Sequence, residues 1–493
     1  MPSCLDLSRR GFLFEACGCC AAAFGFRRAF AVPAGASSSG RPNLRIGLLS
    51  DVHVSTVKGA NGCETFLEAL KYFRDRDADA VVIAGDLTNN SFIEELEVFA
   101  QAWYEVFPDD KLPDGRRIEK IFVGGNHEWE GWKYGRVGTK RYPDPEELKR
   151  HLTPEHYAEV WKRLFHEDFA HVYRKDVKGY TFLAAHWPWH TSEAPAFIAR
   201  EASGLDAAKP FFFVQHPHPK GTVYHVENGE PDGSADAGAT AEVLAKFSNA
   251  VAFSGHSHRS LTDEKSIWQG AFTSVATATL RNVGARGGYE NSGPRRNSEF
   301  KQMPVNVRGA RQGQFVSVYD DRIVFERREF KTGKSLGDDW VVPLGTSERP
   351  YAFAKRASDE RPAEFPPDAV VTVGEECDGQ TRGKKPSRQI KLTFTAALPG
   401  DGVRGSALGY EVQVLQTQGD FVDLPLLTKR VFAPGYGYPV ADKPDEVELL
   451  LNATELPHEC ILEFRATAIG SFGCRSKAIT SGRTKLKGVV VRW

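Results

Sequence analysis

Leu44-Arg45-Ile46-Gly47-Leu48-Leu49-Ser50-Asp51-Val52-His53 reads as a buried strand that runs out into a carboxylate and an imidazole. Leu44–Leu49, apolar but for Arg45, is short enough and rich enough in Leu and Ile to read as a buried strand. Four more runs end in the same manner. Ala80–Ala84 leads into Gly85-Asp86, Ile121–Val123 into Gly125-Asn126-His127-Glu128, Phe211–Val214 into His216-Pro217, and Val251–Phe253 into Gly255-His256-Ser257-His258. Between them Glu64–Arg74, Ser91–Phe107, Pro145–Phe165 and Ala237–Phe247 read as helices. Such alternation predicts an α/β fold with helices on the outer faces. Ligands in these folds gather beyond the carboxyl ends of the strands, where all five motifs fall. The motifs supply two Asp, one Asn and several His, oxygen and nitrogen donors suited to two divalent metals sharing one carboxylate, and two-metal sites act most often on phosphate esters. Each motif alone is ordinary polarity at a strand end; the chemistry lies in the set.

The chain has 493 residues, which predicts two or three domains. A hydrophobic share of 41% and a charged share of 26% describe a soluble globular protein. The formal net charge of −1 argues against broad attraction to nucleic acid or anionic membrane. Ser8-Arg9-Arg10-Gly11-Phe12-Leu13 resembles a twin-arginine export signal, and Ala16–Phe26 is an apolar run too short to span a bilayer. Residues 1–31 are therefore expected to be a signal peptide, cut near Ala29-Phe30-Ala31, and 32–42 a flexible linker. The expected location is periplasmic or extracellular, reached through the twin-arginine machinery. Glu15 inside the apolar run and Arg27-Arg28 near the cut fit this reading less well, and a tail with a chance Arg-Arg pair is the plain alternative. An oxidising compartment permits disulfides among Cys63, Cys377, Cys460 and Cys474, with Cys460–Cys474 the favoured pair.

After Ser260 the pattern changes. Ala271–Leu280 and Phe315–Phe330, the latter turning at Asp320-Asp321, read as antiparallel strands; Arg281–Gln314 between them reads as a long loop near the site. Pro-rich Arg361–Pro367 looks like a linker, and short runs such as Gln389–Thr395, Gly409–Gln416, Glu446–Leu451 and Ile461–Ile469 predict a β-sandwich over 368–493. Its stretch Leu456-Pro457 through Phe464-Arg465-Ala466-Thr467-Ala468 to Gly470-Ser471-Phe472-Gly473 is similar to the late strands of a fibronectin type III domain.

In order along the chain, Asp-x-His, Gly-Asp, Gly-Asn-His-Glu, a later His after a strand and Gly-His-x-His resemble the calcineurin-like metallophosphoesterases. The resemblance implies a four-layer α/β/β/α sandwich over 43–345, joined by a linker over 346–367 to the small all-β sandwich. It also implies two divalent metals, Mn, Zn or Fe. Asp51, His53, Asp86 and His258 would hold the first; Asp86, Asn126, His216 and His256 would hold the second. Asp86 would bridge ions about 3.5–4 Å apart, and a bridging water would lose its proton near pH 7 to attack phosphorus. His127 would donate a hydrogen bond to the leaving group or phosphate, since imidazole titrates near neutrality. Gly85, Gly125 and Gly255 would let the backbone turn beneath the ions.

Some positions stay open. His218 and His186 rival His216, because each also follows an apolar run. Leu87-Thr88-Asn89-Asn90 after Gly85-Asp86 contains no Tyr, unlike the ferric site of purple acid phosphatases, so a coloured iron–tyrosinate centre is not expected. Trp129, Trp132, Tyr134, Arg136, Lys140 and Arg141 form a candidate aromatic and cationic wall for substrate, or else a packed surface loop. Arg259, Arg281, Arg286, Arg295 and Arg296 are candidate phosphate clamps by guanidinium geometry, or else ordinary surface charge. The reading is an exported dinuclear-metal hydrolase of small phosphate monoesters or diesters, with no nucleic-acid partner and no transmembrane helix. The alternatives are a pyrophosphatase or sugar-nucleotide hydrolase, and an inactive cell-surface protein that binds through its C-terminal sandwich. That sandwich is otherwise expected to be a spacer or a stabilising cap.

Overall fold

The computed structural model describes residues 40–56, 63–134, 154–224, 235–284, 288–291, 310–379, 387–398, 407–417, 424–437, 445–457 and 460–485. The export segment expected over 1–31 lies outside them. So do Arg136, Lys140, Arg141, Arg286, Arg295 and Arg296.

The first domain uses strands β1 (Leu44–Leu49), β2 (Ala80–Ala84), β3 (Glu119–Val123), β4 (Val172–Val177), β5 (Tyr180–Ala185), β6 (Phe211–Val214), β7 (Ala250–Ser254), β8 (Ile267–Gln269), β9 (Thr273–Ala276), β10 (Gln312–Val318), β11 (Arg322–Glu329), β12 (Lys334–Ser335) and β13 (Trp340–Pro343). They form two sheets. One runs β12-β11-β10-β1-β2-β3, with β13 also on β11; the other runs β4-β5-β6-β7-β9-β8. β1, β2 and β3 are parallel, with Ile46 opposite Ala80 and Val82 opposite Ile121. In the second sheet β5, β6, β7 and β9 are parallel. β2 is buried at every position, as its unbroken apolar sequence requires of a strand covered on both faces. β11, at Arg322–Glu329, alternates half-buried and buried residues because only one face meets the core.

Helices α1 (Glu64–Asp75), α2 (Ile93–Val106), α3 (Asn126–Tyr134), α4 (Pro154–Phe165), α5 (Ala194–Ala202) and α6 (Ala239–Leu244) cover the outer faces. In α1 the buried residues Phe66, Ala69, Leu70 and Phe73 recur at helical spacing and make one apolar stripe. They join Phe99, Trp103, Phe122 and Phe165 in a core between the first sheet and its helices. A second core, containing Leu44, Ile46, Val82 and Ile121 with Phe182, Phe212, Val251 and Val275, fills the space between the sheets. A third places Ile198 and Leu244 on the outer face of β6 and β7. The result is the expected α/β/β/α sandwich. Among the described residues no helix is long and apolar enough to cross a membrane.

Two parts differ from the sequence reading. The residues after Asn126 are helical, where a loop was expected. β4 and β5 form an antiparallel hairpin through Lys178-Gly179, both with positive φ.

The C-terminal region contains β14 (Thr372–Gly379), β15 (Ser387–Thr395), β16 (Gly409–Gln416), β17 (Leu424–Phe432), β18 (Glu446–Asn452), β19 (Ile461–Ile469) and β20 (Ile479–Lys485). They make an antiparallel three-stranded sheet, β14-β15-β18, and a four-stranded one, β17-β16-β19-β20. Both contribute to one core that includes Ile390, Leu392, Tyr410, Val412, Leu449 and Phe464. The favoured disulfide is absent: Cys460 and Cys474 are both free thiols. All of β19 runs between them; at about 3.3 Å per residue its nine residues carry the two cysteines far beyond the reach of a disulfide.

The stretch 346–367 is packed rather than loose. Tyr351 is fully buried and α7 (Phe353–Asp359) buries Arg356. Glu360 then accepts hydrogen bonds from the amides of Phe472 (3.0 Å) and Cys474 (2.8 Å) in the sandwich.

Candidate metal centre

Five of the nominated residues sit in unusual backbone geometry at the strand ends. Asp51 (φ 52°), His53 (51°), Asp86 (54°), His256 (67°) and His258 (55°) are all left-handed. L-residues adopt this region at a cost, held by the surrounding structure, and such positions cluster at functional sites. The frame that holds them here is hydrogen-bonded: Asp51 N–H donates to Gly85 O (2.9 Å) and His53 N–H to Asp86 O (3.0 Å). Of the three motif glycines only Gly85, at φ 100°, needs its conformational freedom. Gly125 and Gly255 lack a left-handed φ and are required by close approach instead: a Cβ at Gly125 would strike Asp86 Oδ1, and one at Gly255 would strike Ser50 Oγ.

Asp51, His53, Asp86 and His258 present ligand atoms within 4.8 Å of one another, as do Asp86, His216 and His256. Asp86 is common to both groups. His258 Nε2 lies 2.8 Å from Asp51 Oδ1. Asp86 Oδ2 is 3.2 Å from His216 Nε2 and 3.5 Å from His53 Nε2. His53 Nε2 faces His258 Nε2 at 3.0 Å, and His256 Nδ1 faces His216 Nε2 at 3.2 Å. Ring nitrogens so close must share a proton or a cation. Asn126 Oδ1 is buried with no hydrogen-bond partner among the described residues. This set of carboxylate, amide and imidazole donors, with an orphaned acceptor beside it, fits two divalent cations.

The far sides of the rings are fixed too. His216 Nδ1–H donates to Ala84 O (2.8 Å), His258 Nδ1–H to Asn282 O (3.0 Å), and His127 Nδ1–H to Asn89 O (2.7 Å). A carbonyl can only accept, so each bond leaves Nε2 to face the site. His127 packs edge-on to His53, ring centres 4.5 Å apart, and its amide donates to Asp86 Oδ1 (2.9 Å). Asp51, His53, Asp86 and His216 make a buried floor, while His127, His256 and His258 are half-buried and form the open side.

Burial acts to raise the carboxyls of Asp51 and Asp86. His258 beside the first, and His216 and His127 beside the second, nevertheless hold both well below the usual carboxylate range. Burial pushes His53 down to about 3, and burial with neighbouring His216 takes His256 to about 4. His216 goes the other way: burial opposes its charge, but Asp86 lifts it to about 9. The cluster thus holds carboxylates ionised and shares few protons among several rings, the state in which cations compete best. Glu128 is pushed up to about 8 by burial and then by Asp86. It still accepts from Thr88 N (2.7 Å), Thr88 Oγ (3.0 Å) and Gly125 N (2.6 Å), tying the second motif to the third.

The rival histidines separate. His186 Nδ1 accepts from Gly124 N–H (2.8 Å) within a shell of Trp161, Phe169 and Tyr173 rings. His218 Nδ1 bonds Ser254 Oγ (2.7 Å). Neither belongs to the metal-ligating groups among the described residues. Of the substrate candidates, Arg281 lies at the site, its guanidinium 3.4 Å from His53 Nδ1. Arg259 is buried and stacks over Tyr224 at 4.5 Å. Trp129 packs on Tyr157, Phe169 and Trp189, because its helix turns it toward the core. Trp132 and Tyr134 lie on the same helix. Sequence reasoning missed Trp187, tilted against His256 at 5.8 Å between ring centres and bound through its amide to Gly124 O. The signal was present: Trp187 follows β5, whose carboxyl end points to the site like those of its parallel neighbours.

Such donors gathered at the strand ends of a two-sheet α/β sandwich suit a metal-dependent phosphoric ester hydrolase. Residues 44–260 match the family model of the calcineurin-like phosphoesterases, and that stretch is a calcineurin-like phosphoesterase domain. Among solved structures the chain is similar to a dimetal phosphatase from Danio rerio (10% identity, TM-score 0.36, covering 62% of this chain and 100% of that one). It is also similar to a candidate 5′-nucleotidase from Staphylococcus aureus (12%, 0.31, 76% and 74%) and to zinc-complexed Vps29 from Entamoeba histolytica (10%, 0.27, 61% and 99%). No curated protein matches the chain.

Proposed function

We propose that the protein is an exported hydrolase of small phosphate monoesters or diesters, working at a dinuclear centre in which Asp86 is shared. The single observation behind this is the convergence of two ligand groups on that one carboxylate. Asp51, His53, Asp86 and His258 would hold one divalent ion and Asp86, Asn126, His216 and His256 the other. When bound, the pair would supply a hydroxide nucleophile at neutral pH and neutralise phosphoryl charge. His127, on the open side with its Nδ1–H fixed by Asn89, presents Nε2 to donate a proton to the leaving oxygen. Arg281 beside His53 holds a phosphoryl oxygen through its guanidinium. Export rests on Ser8-Arg9-Arg10-Gly11-Phe12-Leu13 and the apolar run after it, which support a periplasmic or extracellular location. The C-terminal sheets are read as a fibronectin type III-like domain.

The test is hydrolysis of matched nitrophenyl phosphate monoester and diester, inorganic pyrophosphate and a sugar nucleotide, after loading with Mn, Zn or Fe. Turnover of the nitrophenyl esters, lost in Asp86→Ala, supports the reading. Turnover of pyrophosphate or the sugar nucleotide alone would overturn it.

A further inference from the structure

Among the three imidazoles whose Nδ1–H is fixed by a carbonyl, His258 differs in where its carbonyl comes from. Ala84, which serves His216, closes β2; Asn282, which serves His258, lies on an irregular segment against the C-terminal sandwich. That segment is held from both sides. On the catalytic side, Gly284 N–H donates to His258 O, and Gly284 bridges Arg259. A Cβ at Gly284 would strike Ser257 O, so the fit is tight.

On the sandwich side, Tyr436 Oη–H donates to Gly284 O (3.2 Å), and Val283 is buried with Ala310, Leu408, Phe432 and Tyr436. Phe432 stacks on Tyr289 with ring centres 3.8 Å apart, and on Tyr436 at 4.5 Å. Asn291 exchanges two hydrogen bonds with the Phe432 backbone (3.0 and 2.7 Å). The same turn reaches the other flank of His258: Gly437 N–H donates to Thr262 Oγ (3.2 Å), and Gly437 O accepts from Gln312 Nε2 (2.9 Å).

We propose that the C-terminal sandwich, through Phe432, Tyr436 and Gly437, is a positioning element for the His258 half of the metal centre. Tyr436 is a positioning residue: it fixes 282–284, these fix the His258 ring, and the ring meets Asp51. The His216 half is anchored within the central sheets and does not depend on this turn. The inference rests on the dinuclear reading for its metal consequence, but the brace itself is a property of the metal-free chain.

The experiment compares Tyr436→Ala, Tyr436→Phe and, as a control elsewhere in the sandwich core, Ile390→Ala, all in the full chain. Hydrogen exchange of the metal-free protein is followed on peptides spanning 279–284, and Mn and Zn binding is followed by titration calorimetry. Tyr436→Ala is expected to lose exchange protection over 282–284 and to weaken one of two metal equivalents about 10–100-fold, with the other unchanged. Tyr436→Phe keeps the stacking and shows a smaller loss, and Ile390→Ala leaves both readouts at wild-type values. Unchanged exchange in Tyr436→Ala, or equal weakening of both equivalents in Tyr436→Ala and Ile390→Ala alike, would overturn the proposal. A wild type that takes up only one equivalent would count against the dinuclear centre, while exchange would still decide the brace.

Discussion

His127 and Asp86 divide the work at the site by their surroundings. His127 is half-buried, hydrogen-bonded on one nitrogen and open on the other; Asp86 is buried and touched by the rings of His53 and His216 and by the His127 amide. His127→Ala is expected to lower kcat by about 10²–10⁴-fold, the usual worth of a general acid, while metal content by elemental analysis stays at the wild-type value. A fall in metal content matching the fall in rate would make His127 a ligand instead. Glu128 acts on the loops rather than on substrate. Glu128→Ala leaves Thr88 and Gly125 amides buried without an acceptor, at about 1–3 kcal/mol for each, so denaturant unfolding is expected to show a loss of that order.

The strands that carry the site were legible in the sequence, and the reason is physical. β2 and β6 are buried at every position, so an unbroken apolar run marked each to its end residues, and β1 departs from that only at half-buried Arg45. β4 was not legible because its side chains are mostly half-exposed, and α3 was hidden because Asn126-His127-Glu128 reads first as site chemistry and only then as a helix start. The ligand groups followed from strand ends alone. The ring contacts of Trp129 and Arg259 were not legible there, since a helix face and a ring stack across the fold make them. The brace on His258 has no local pattern at all: it joins Asn282 to Tyr436 across the two domains. At the end of β11, Glu329 accepts the Arg311 amide and burial raises its carboxyl from 4.5 to about 7. A group protonated more readily when folded costs stability as it ionises, so that stability falls as pH rises from 4.5 through 7. Glu329→Gln is expected to flatten that part of the Tm–pH profile; an unchanged slope would exclude Glu329 as its source.

Across the whole molecule, buried charge ties the catalytic domain to the connecting helix α7, and the 432–437 turn ties it to the sandwich. Glu264 pairs with Arg327 (2.9 Å) and Arg356, accepts from Trp340 Nε1 (3.2 Å), and donates its backbone N–H to Ser471 Oγ (3.3 Å). Removing the carboxylate strands two buried guanidinium groups, so Glu264→Ala is expected to cost about 3–5 kcal/mol in a single cooperative transition. Two separated transitions would show that the domains unfold independently. The central claim, one carboxylate shared by two cations, is met most directly by counting metal. Metal equivalents per chain would be measured by elemental analysis after reconstitution and gel filtration, for the wild type beside Asp86→Asn and Asp51→Asn. Two equivalents in the wild type, a loss from both positions in Asp86→Asn and a loss from one in Asp51→Asn are predicted. A single equivalent in the wild type, or an Asp86→Asn protein that still holds two, would contradict the account.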